Sequence, residues 1–354
     1  MNLDPIIALR HTLHATPEVS GREVRTRAIL TDFLRQNTTL DIFPCGDGFC
    51  AAHREMNTTK PAIALRADYD ALAMPDGSAS HLCGHDGHAA ALCGAAMAVE
   101  GEQLGRNVFF LFQPAEEIGG GASGCAALFD REDIGEIYGA HNLPGWPLGQ
   151  VTTRLGTFAC ASRGLILHFG GKPTHAAYPE HGISPAPAVG RLLCALPDLS
   201  SPERYTGMTL CTVIGVEMGE KAFGAAAAAA EVWLTLRAEH DGDLAALHEA
   251  ILHLGNVLAE QGWLTFSYDV QDVFPATENT TACAQKVLTL CGGVPLETPM
   301  RWSEDFGHYL QRCPGAFFGI GSGVDHPPLH TADYTYPDAL LEPTVAAFLA
   351  LIRG

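Results

Sequence analysis

The stretch PAIALRAD, residues 61–68, is a short apolar run that ends at charged side chains. Such a run is typical of a strand that is buried on both faces of a sheet. Three further runs of this kind follow along the chain: NVFFLFQ (107–113), EIYGAH (136–141) and AFFGIG (316–321). Helical patterns separate them, so the sequence predicts an α/β fold with a mainly parallel sheet and helices on both faces.

The middle of the chain has a different pattern. RGLILHFGG (163–171) and EVWLTLRAE (231–239) alternate between apolar and polar residues, as half-exposed strands do. Residues 184–196 and 245–262 have the periodicity of helices. We therefore predict an inserted α+β domain over 161–270, with the first domain formed by 1–160 and 271–354. The alanine run 225–230 fits either a helix or a strand.

Composition limits the class of protein. The 354 residues are 47% hydrophobic and 17% charged, which indicates a well-packed chain of two domains. A formal net charge of −19 argues against nucleic acid or an anionic membrane as a partner. We see no signal peptide and no apolar run of membrane-spanning length. Eleven cysteines without the spacing of a disulfide scaffold favour a reducing cytoplasm.

The amino-terminal region predicts two helices, over 3–14 and 22–36. Ser20 and Glu23 have the spacing of a capping box for the second helix, in which each side chain satisfies a free backbone N–H.

Polar side chains follow the predicted strands at their carboxyl ends, where ligands gather in open parallel sheets. Their types, carboxylate, imidazole and thiolate, suit a divalent metal, and two ions sharing such ligands can activate a bridging water. The residues that we expect in this crevice are Asp68, Asp70, Cys83, His85, Glu116, Glu117, His141 and His330.

Adjacent glutamates suit a division of roles. Of Glu116 and Glu117, one side chain can bind metal while the other faces the water as a general base. Each residue also has a plainer interpretation: the two glutamates can stabilise a helix N-terminus, and Cys83 can be a buried thiol. A third alternative is a thiol hydrolase that uses Cys83 with a histidine.

The sequence resembles a family of metal-dependent amidohydrolases that includes aminoacylases, hippurate hydrolases, auxin-conjugate (IAA-amino acid) hydrolases and bacterial N-acyl-amino-acid deacylases. The resemblance covers nearly the whole chain and rests on eight blocks in a fixed order: RHTLHATPEVSGRE, ALRADYDALAMP, CGHDGHAA, FLFQPAEEIGGGASG, YGAHNLPGWPLG, GGKPTHAAYPEHG, SEDFGHYLQRCPGAFFGIG and PLHTADYTY.

This resemblance implies a zinc-peptidase-like catalytic domain with an inserted lid, and a homodimer formed through the lid. It implies Glu116 as the catalytic base and two divalent cations per subunit. Zinc and manganese are the preferred candidates, and cobalt and nickel are the alternatives. The metal ligands that it implies are Cys83, His85, Glu117, His141 and His330.

Three further roles follow from the same resemblance. His175, in PTHAAYP, matches a lid histidine that stabilises the developing oxyanion in the active site of a neighbouring subunit. Arg237 matches an arginine that binds the substrate carboxylate, and its alternative is a surface charge on a strand. Asp70 matches a carboxylate that orients a metal ligand, and its alternative is a helix cap. Glu304 and Asp305 match a family block without a role that we can assign.

The chain departs from the family pattern in two places. The loop over 71–82 is shorter than usual, which would reshape the entrance of the pocket. In GEKAFGAAA (219–227), Gly224 stands where the family commonly has a substrate-binding asparagine. The predicted activity is hydrolysis of the amide bond of N-acyl amino acids. The alternatives are a dipeptidase or carboxypeptidase with the same site, or a non-catalytic relative that binds metal or a small molecule.

Overall fold

The computed structural model describes residues 2–354 and divides the chain into two compact units. The first unit contains the residues up to Phe158 together with Thr277–Pro299 and Glu304–Gly354. The second unit contains Ala159–Ala276 and Met300–Ser303. The lid and dimerisation roles that we expect for 161–270 remain predictions. Between residues 2 and 354, no helix has both the length and the apolar surface that crossing a bilayer requires.

An eight-stranded sheet forms the centre of the first unit. Its strands, numbered along the whole chain, are β1 (Asp41–Cys45), β2 (Gly48–His53), β3 (Ala62–Asp68), β6 (Val108–Gln113), β7 (Ile134–Pro144), β8 (Val151–Thr153), β17 (Val294–Pro295) and β18 (Gly315–Gly323). They lie in the order β1-β2-β6-β3-β7-β18-β8-β17. The central strands β6, β3, β7 and β18 pair in parallel, whereas β1, β2 and β6 pair antiparallel at one edge. The predicted fold class, a mainly parallel α/β sheet with a second α+β part, is confirmed.

The central strands are covered on both faces. Every residue of β6 is buried, and so is every residue of β3 after Ala62, although successive side chains point to opposite faces. The helices of this unit are α1 (Asp4–His14), α2 (Val24–Asn37), α3 (His85–Ala98), α4 (Gly121–Cys125), α5 (Leu128–Arg131), α8 (Thr281–Leu290), α9 (Gly307–Leu310) and α10 (Leu341–Arg353). Side chains of α1, α2, α3, α8 and α10 join those of the strands in one hydrophobic core.

The second unit is an antiparallel sheet with helices. Its four long strands, in the spatial order β12-β14-β10-β15, are β10 (Ala161–Gly170), β12 (Thr209–Met218), β14 (Ala229–Ala238) and β15 (Thr265–Phe274). Burial alternates along β14, as the sequence pattern predicts. The buried side chains form a separate core with α6 (Ala186–Leu199) and α7 (Asp241–Gly262).

Short elements complete the structure. The strands are β4 (Leu72–Ala73), β5 (Ala79–Ser80), β9 (Gly156–Ala159), β11 (Thr174–His175), β13 (Ala225–Ala226) and β16 (Thr277–Asn279), and the 3-10 turns are Pro179–His181, Pro202–Arg204 and Asp338–Leu340. The open question at 225–230 is thereby answered, because this run contributes to β13 and to the start of β14.

The predicted capping box is wrong. Helix α2 begins at Val24, and the side chain of its N-cap residue, Glu23, makes no capping hydrogen bond. Ser20 instead donates its hydroxyl to Asp70. The carboxylate of Glu18 accepts the backbone N–H of Thr26 at 2.8 Å and so satisfies the first turn of the helix. Glu18, which lies outside the predicted motif, therefore caps this helix in place of Ser20.

Candidate metal and catalytic site

The acidic residues of the predicted site lie where two parallel strands end. Strand β3 ends at Asp68, and Asp70 follows it two residues later. Strand β6 ends at Gln113, and the loop after it carries Glu116 and Glu117. Because β3 and β6 are hydrogen-bonded neighbours, their carboxyl ends place these carboxylates at one edge of the sheet.

The cysteine and histidines reach the same edge from other elements. Cys83 precedes α3, and His85 is the first residue of that helix. His141 lies inside β7, which continues to Pro144 instead of ending at the histidine as predicted. His330 lies in the segment after β18, with a left-handed backbone (φ 63°) and an N–H that donates to the carbonyl of Leu82. That hydrogen bond holds His330 beside Cys83.

The structure brings all five predicted metal ligands together. Cys83 Sγ is 3.4 Å from His141 Nε2 and 3.4 Å from His330 Nε2. Glu117 Oε1 is 3.6 Å from His330 Nε2 and 3.8 Å from His85 Nε2. Cys83, His85 and His141 form one group whose ligand atoms lie within 4.8 Å of one another, and Cys83, Glu117 and His330 form a second. The thiolate position is common to both groups.

Asp70 contacts two of the predicted ligands. Its Oδ1 is 3.0 Å from His85 Nδ1, and its Oδ2 accepts the backbone N–H of Glu117 at 3.1 Å. A proton held on His85 Nδ1 by this carboxylate leaves a lone pair on Nε2, which points to Glu117. The carbonyl of Asn142 lies 2.8 Å from His141 Nδ1 and has the equivalent effect on the Nε2 that faces Cys83.

The side chains present fit a divalent cation. His85 Nε2 and Glu117 Oε1 are buried atoms without a hydrogen-bond partner among residues 2–354, and a cation between them would satisfy both. The donors are sulfur, nitrogen and oxygen, a set typical of zinc and other borderline divalent ions. The first unit can therefore hold divalent metal at this edge of the sheet.

Glu116 lies beside the ligands in a strongly acidic environment. Its carboxylate is within 4.8 Å of the ligand atoms of His85 and Glu117. Burial raises the pKa of Glu116 well above its usual range, and the negative charges of Glu304 and Glu117 raise it further. Burial also raises the pKa of Glu304 to about 8, although Arg66 opposes the rise. A carboxyl group with a raised pKa can both take up and release a proton near neutral pH.

The sequence analysis missed an arginine that neutralises part of this charge. Arg66 is 1% exposed, and its guanidinium forms ion pairs of 2.6 Å with Asp68, 2.9 Å with Glu304 and 2.8 Å with Asp305. One cation faces three carboxylates. The signal was present in PAIALRAD, because a charged residue inside a buried strand requires a partner.

Asp68 and His88 form a second buried pair that the sequence did not assign. The Oδ1 of Asp68 is 2.6 Å from His88 Nδ1, and the Nε2 of His88 is 2.5 Å from the amide oxygen of Asn142. Asn142 in turn donates to the hydroxyl of Tyr334. This chain of hydrogen bonds connects the end of β3 with β7 behind His141.

The two remaining predicted residues belong to the second unit. His175 is exposed at the end of β11, and its Nδ1 accepts the backbone N–H of Ala177, which leaves Nε2 as the protonated, donating nitrogen. Arg237 is half-buried in β14 and donates to the hydroxyl of Ser303 at 2.7 Å, and its burial lowers the pKa of the guanidinium.

The departures from the family pattern have defined structures. The short loop over 71–82 contains the hairpin of β4 and β5. Gly224 accepts the backbone N–H of Ala176, directly after His175, and a Cβ atom at Gly224 would meet no other atom within 4 Å. A side chain at this position would therefore fit without a clash.

Comparison with known proteins identifies the family of the chain. Residues 64–354, more than half of the chain, match the model of Peptidase family M20/M25/M40. The chain belongs to this family. The membership confirms the predicted family resemblance and the predicted enzyme class, a metal-dependent amidohydrolase.

Curated relatives of this M20 chain extend over most of its length. It is 29% identical to "IAA-amino acid hydrolase ILR1-like 4" of Arabidopsis thaliana, over 90% of this chain and 77% of the relative. It is 28% identical to an N-acetyldiaminopimelate deacetylase of Lacticaseibacillus casei, over 98% of this chain and 97% of the relative. It is also 28% identical to an N-acetyl-L-cysteine deacetylase of Bacillus subtilis, over 92% of this chain and 82% of the relative.

Solved structures confirm the fold. A putative aminohydrolase from methicillin resistant Staphylococcus aureus has a TM-score of 0.88 at 22% identity. The match covers 99% of this chain and 96% of the aminohydrolase. The Bacillus subtilis YXEP protein, described as a dinuclear metal binding peptidase from the M20 family, has a TM-score of 0.82 at 24% identity, with coverages of 99% and 97%.

Proposed function

We propose that this M20 chain hydrolyses the amide bond of N-acylated amino acids, with two divalent cations per subunit and Glu116 as the proton carrier. The observation that supports it most directly is the pair of ligand groups that share Cys83, with the buried Glu116 beside them. The relatives named as deacetylases and IAA-amino acid hydrolases support the substrate class.

Each cation would have its own group of ligands. Cys83, His85 and His141 would hold one, and Cys83, Glu117 and His330 would hold the other. Cations bound there would supply Lewis acidity, which polarises the scissile carbonyl group and makes a water more acidic. Zinc and manganese suit this mixed donor set, and cobalt or nickel are further candidates.

Glu116 would move the proton. Its carboxylate would accept a proton from the attacking water and then deliver it to the nitrogen of the leaving amine. In the metal-free chain, burial and the charges of Glu304 and Glu117 raise the pKa of Glu116, so its carboxylate has a higher proton affinity than an exposed glutamate. Neighbouring Glu117 would keep its position as a ligand because the N–H of Glu117 is fixed by Asp70.

The second unit would complete the site. We assign to His175 Nε2–H the stabilisation of the oxyanion that develops on the substrate, in the active site of a partner subunit. We assign to Arg237 the binding of the substrate carboxylate, because a guanidinium binds a carboxylate with two parallel hydrogen bonds. With both assignments, the second unit would act as the lid and dimerisation domain of a homodimer.

A substrate panel with metal analysis tests the proposed function. The purified protein would be analysed for bound metal and then assayed with N-acetyl and N-benzoyl amino acids, an indole-3-acetyl amino acid and simple dipeptides, with added zinc or manganese. We expect bound divalent metal and turnover of acyl amino acids. Turnover of dipeptides alone would replace the proposal by a peptidase, and metal binding without any turnover would leave a binding protein.

Asp70→Asn is expected to weaken metal binding by about 10- to 100-fold, because an amide cannot hold the His85 Nδ1 proton as a carboxylate does. Equilibrium titration with a competing chelator would measure the change. Asp76→Asn is the matched control, because Asp76 is exposed and, within residues 2–354, its side chain hydrogen-bonds only to Ser78. An Asp70→Asn protein with unchanged metal affinity would contradict this role.

His175→Ala is expected to lower kcat by about 10²-fold or more while the bound metal is retained, because one donor to the oxyanion is lost. His181→Ala in the same segment is the control, since its side chain is 71% exposed. If His175 acts across a dimer, mixed subunits of His175→Ala and Glu116→Gln would recover about a quarter of the wild-type rate. No recovery after subunit exchange would contradict action across the dimer.

A further inference from the structure

The residue directly before the proposed base has an unusual backbone. Ala115 has φ 56°, in the left-handed region that residues other than glycine rarely occupy. Such a conformation persists only where the surrounding structure holds it. The direction in which the chain leaves Ala115 determines where the side chain of Glu116 points, so whatever holds Ala115 also positions Glu116.

Both backbone polar groups of Ala115, its carbonyl and its N–H, form hydrogen bonds. Its carbonyl accepts the backbone N–H groups of Gly120 and Gly121, each at 3.2 Å. Its own N–H donates to the carboxylate of Glu23, with 2.8 Å between Ala115 N and Glu23 Oε1. The same Oε1 accepts the N–H of Gly21 at 2.9 Å. Among residues 2–354, Glu23 is the only side chain that hydrogen-bonds to the Ala115 backbone.

Apart from the hydrogen bond that it accepts from Gly21, the Glu23 side chain does not stabilise its own helix. It is 6% exposed, although burial of a carboxylate is unfavourable, and it makes no capping hydrogen bond to α2. Glu18 performs that capping through Thr26. A cavity of about 390 Å³ lies between the turn that carries Glu23 and the loop that carries Ala115. Glu23 and Ala115 both line this space, which side chains do not fill, so their hydrogen bond contributes to the link between the turn and the loop.

The same turn also supports Glu117. Ser20 donates to Asp70 Oδ2 at 2.7 Å, and that oxygen accepts the N–H of Glu117. Two residues of one turn thus reach the backbone on either side of Glu116. Glu23 binds the N–H of Ala115 directly, and Ser20 is linked to the N–H of Glu117 through Asp70. This turn precedes residue 64, where the match to the family model begins.

We propose that Glu23 is a positioning residue for Glu116: its carboxylate fixes Ala115 in the left-handed conformation and so directs the Glu116 side chain toward the metal ligands. The inference rests on the proposed role of Glu116 as proton carrier. Glu23 itself touches neither the ligands nor the substrate in this scheme.

Four variants test the role. Glu23→Ala removes the acceptor and is expected to lower kcat about 10- to 100-fold, with KM changed less than about two-fold and the metal content unchanged, because a small displacement of a catalytic group is costly. Glu23→Gln keeps an amide oxygen in place of Oε1, and we expect it to retain most of the wild-type kcat. The double variant that adds Ala115→Gly to Glu23→Ala is expected to have a kcat about ten-fold higher than Glu23→Ala alone, because glycine adopts φ 56° without strain. Glu18→Ala is the control for damage to α2 and is expected to lower Tm with a normal kcat.

The outcomes separate the two proposals. Full kcat in Glu23→Ala would overturn the positioning role. An equal loss in Glu23→Ala and Glu23→Gln, with no recovery from Ala115→Gly, would overturn it too and would leave Glu23 as a residue needed only for folding. Appreciable turnover by Glu116→Gln would instead overturn the proposed function, whatever the Glu23 variants show.

Discussion

Replacement of Glu116 by glutamine is expected to lower kcat by at least about 10³-fold, because the isosteric amide cannot carry a proton from water to the leaving amine. Bound metal should remain, since none of the five ligands is changed. Steady-state assays on metal-loaded protein, with the metal content measured on the same sample, check both parts of this expectation.

The same substitution is expected to preserve or raise the stability of the metal-free protein. Burial and the charges of Glu304 and Glu117 raise the pKa of Glu116, so the folded state disfavours the ionised carboxylate. This unfavourable contribution is absent below the pKa of the unfolded chain and is complete above the folded pKa. Thermal unfolding of chelator-treated protein should therefore show a Tm at or above that of the wild type near pH 7, and no difference at low pH.

Glu55→Gln is the matched control for loss of a carboxylate with little exposure. The Glu55 side chain is 7% exposed and accepts the backbone N–H groups of Leu104 and Gly105, away from the metal ligands. We expect a lower Tm and an unchanged kcat from this variant. A Glu116→Gln enzyme that still turned over at more than a few per cent of the wild-type rate would contradict the assignment of the base.

The fold and the location of the site could be predicted because they follow from short-range patterns. The apolar runs at 61–68 and 107–113 indicate strands that are buried on both faces, and the structure confirms both as neighbouring parallel strands. Neighbouring parallel strands have their carboxyl ends at the same edge of the sheet, so the polar side chains that follow each strand are expected at that edge. The family blocks then implied roles for Glu116 and for the five predicted metal ligands, but not for Glu304 and Asp305.

The support around the site could not be predicted from the sequence because its contacts join distant segments. Arg66 pairs with Asp305 across 239 positions, and Glu23 binds the loop at Ala115 across 92 positions. The capping-box prediction failed for the same reason. Ser20 fits the local motif, but Asp70 provides a buried carboxylate that accepts its hydroxyl, and Glu18 takes over the capping of α2. A local pattern cannot show such competition.

Removal of metal is expected to abolish activity, and loss of the cysteine that both ligand groups share is expected to have the largest effect of any single ligand substitution. Cys83 belongs to both groups, whereas His330 belongs to one and its side chain is 52% exposed. For Cys83→Ala we expect fewer than one tightly bound cation per subunit and a loss of at least about 10³-fold in kcat. For His330→Ala we expect the loss of one cation and retention of the other.

Chelation provides the complementary measurement. Because His85 Nε2 and Glu117 Oε1 have no hydrogen-bond partner in the part of the chain that the structure describes, metal should bind the folded chain more tightly than the unfolded one. Activity should disappear on dialysis against chelator and return with zinc or manganese, and Tm should rise with the metal concentration. Mass spectrometry under native conditions would count the ions in each variant.

Cys93→Ala is the control for loss of a buried thiol. Cys93 lies in α3, the helix that His85 begins, but its side chain is fully buried in the hydrophobic core. This variant should keep two cations and a normal kcat, with a modest decrease in Tm. If the chain were instead a thiol hydrolase, alkylation of Cys83 would inactivate it and chelators would have no effect. The metal site predicts the reverse, because bound cations occupy the Cys83 sulfur and chelation removes the cations on which activity depends.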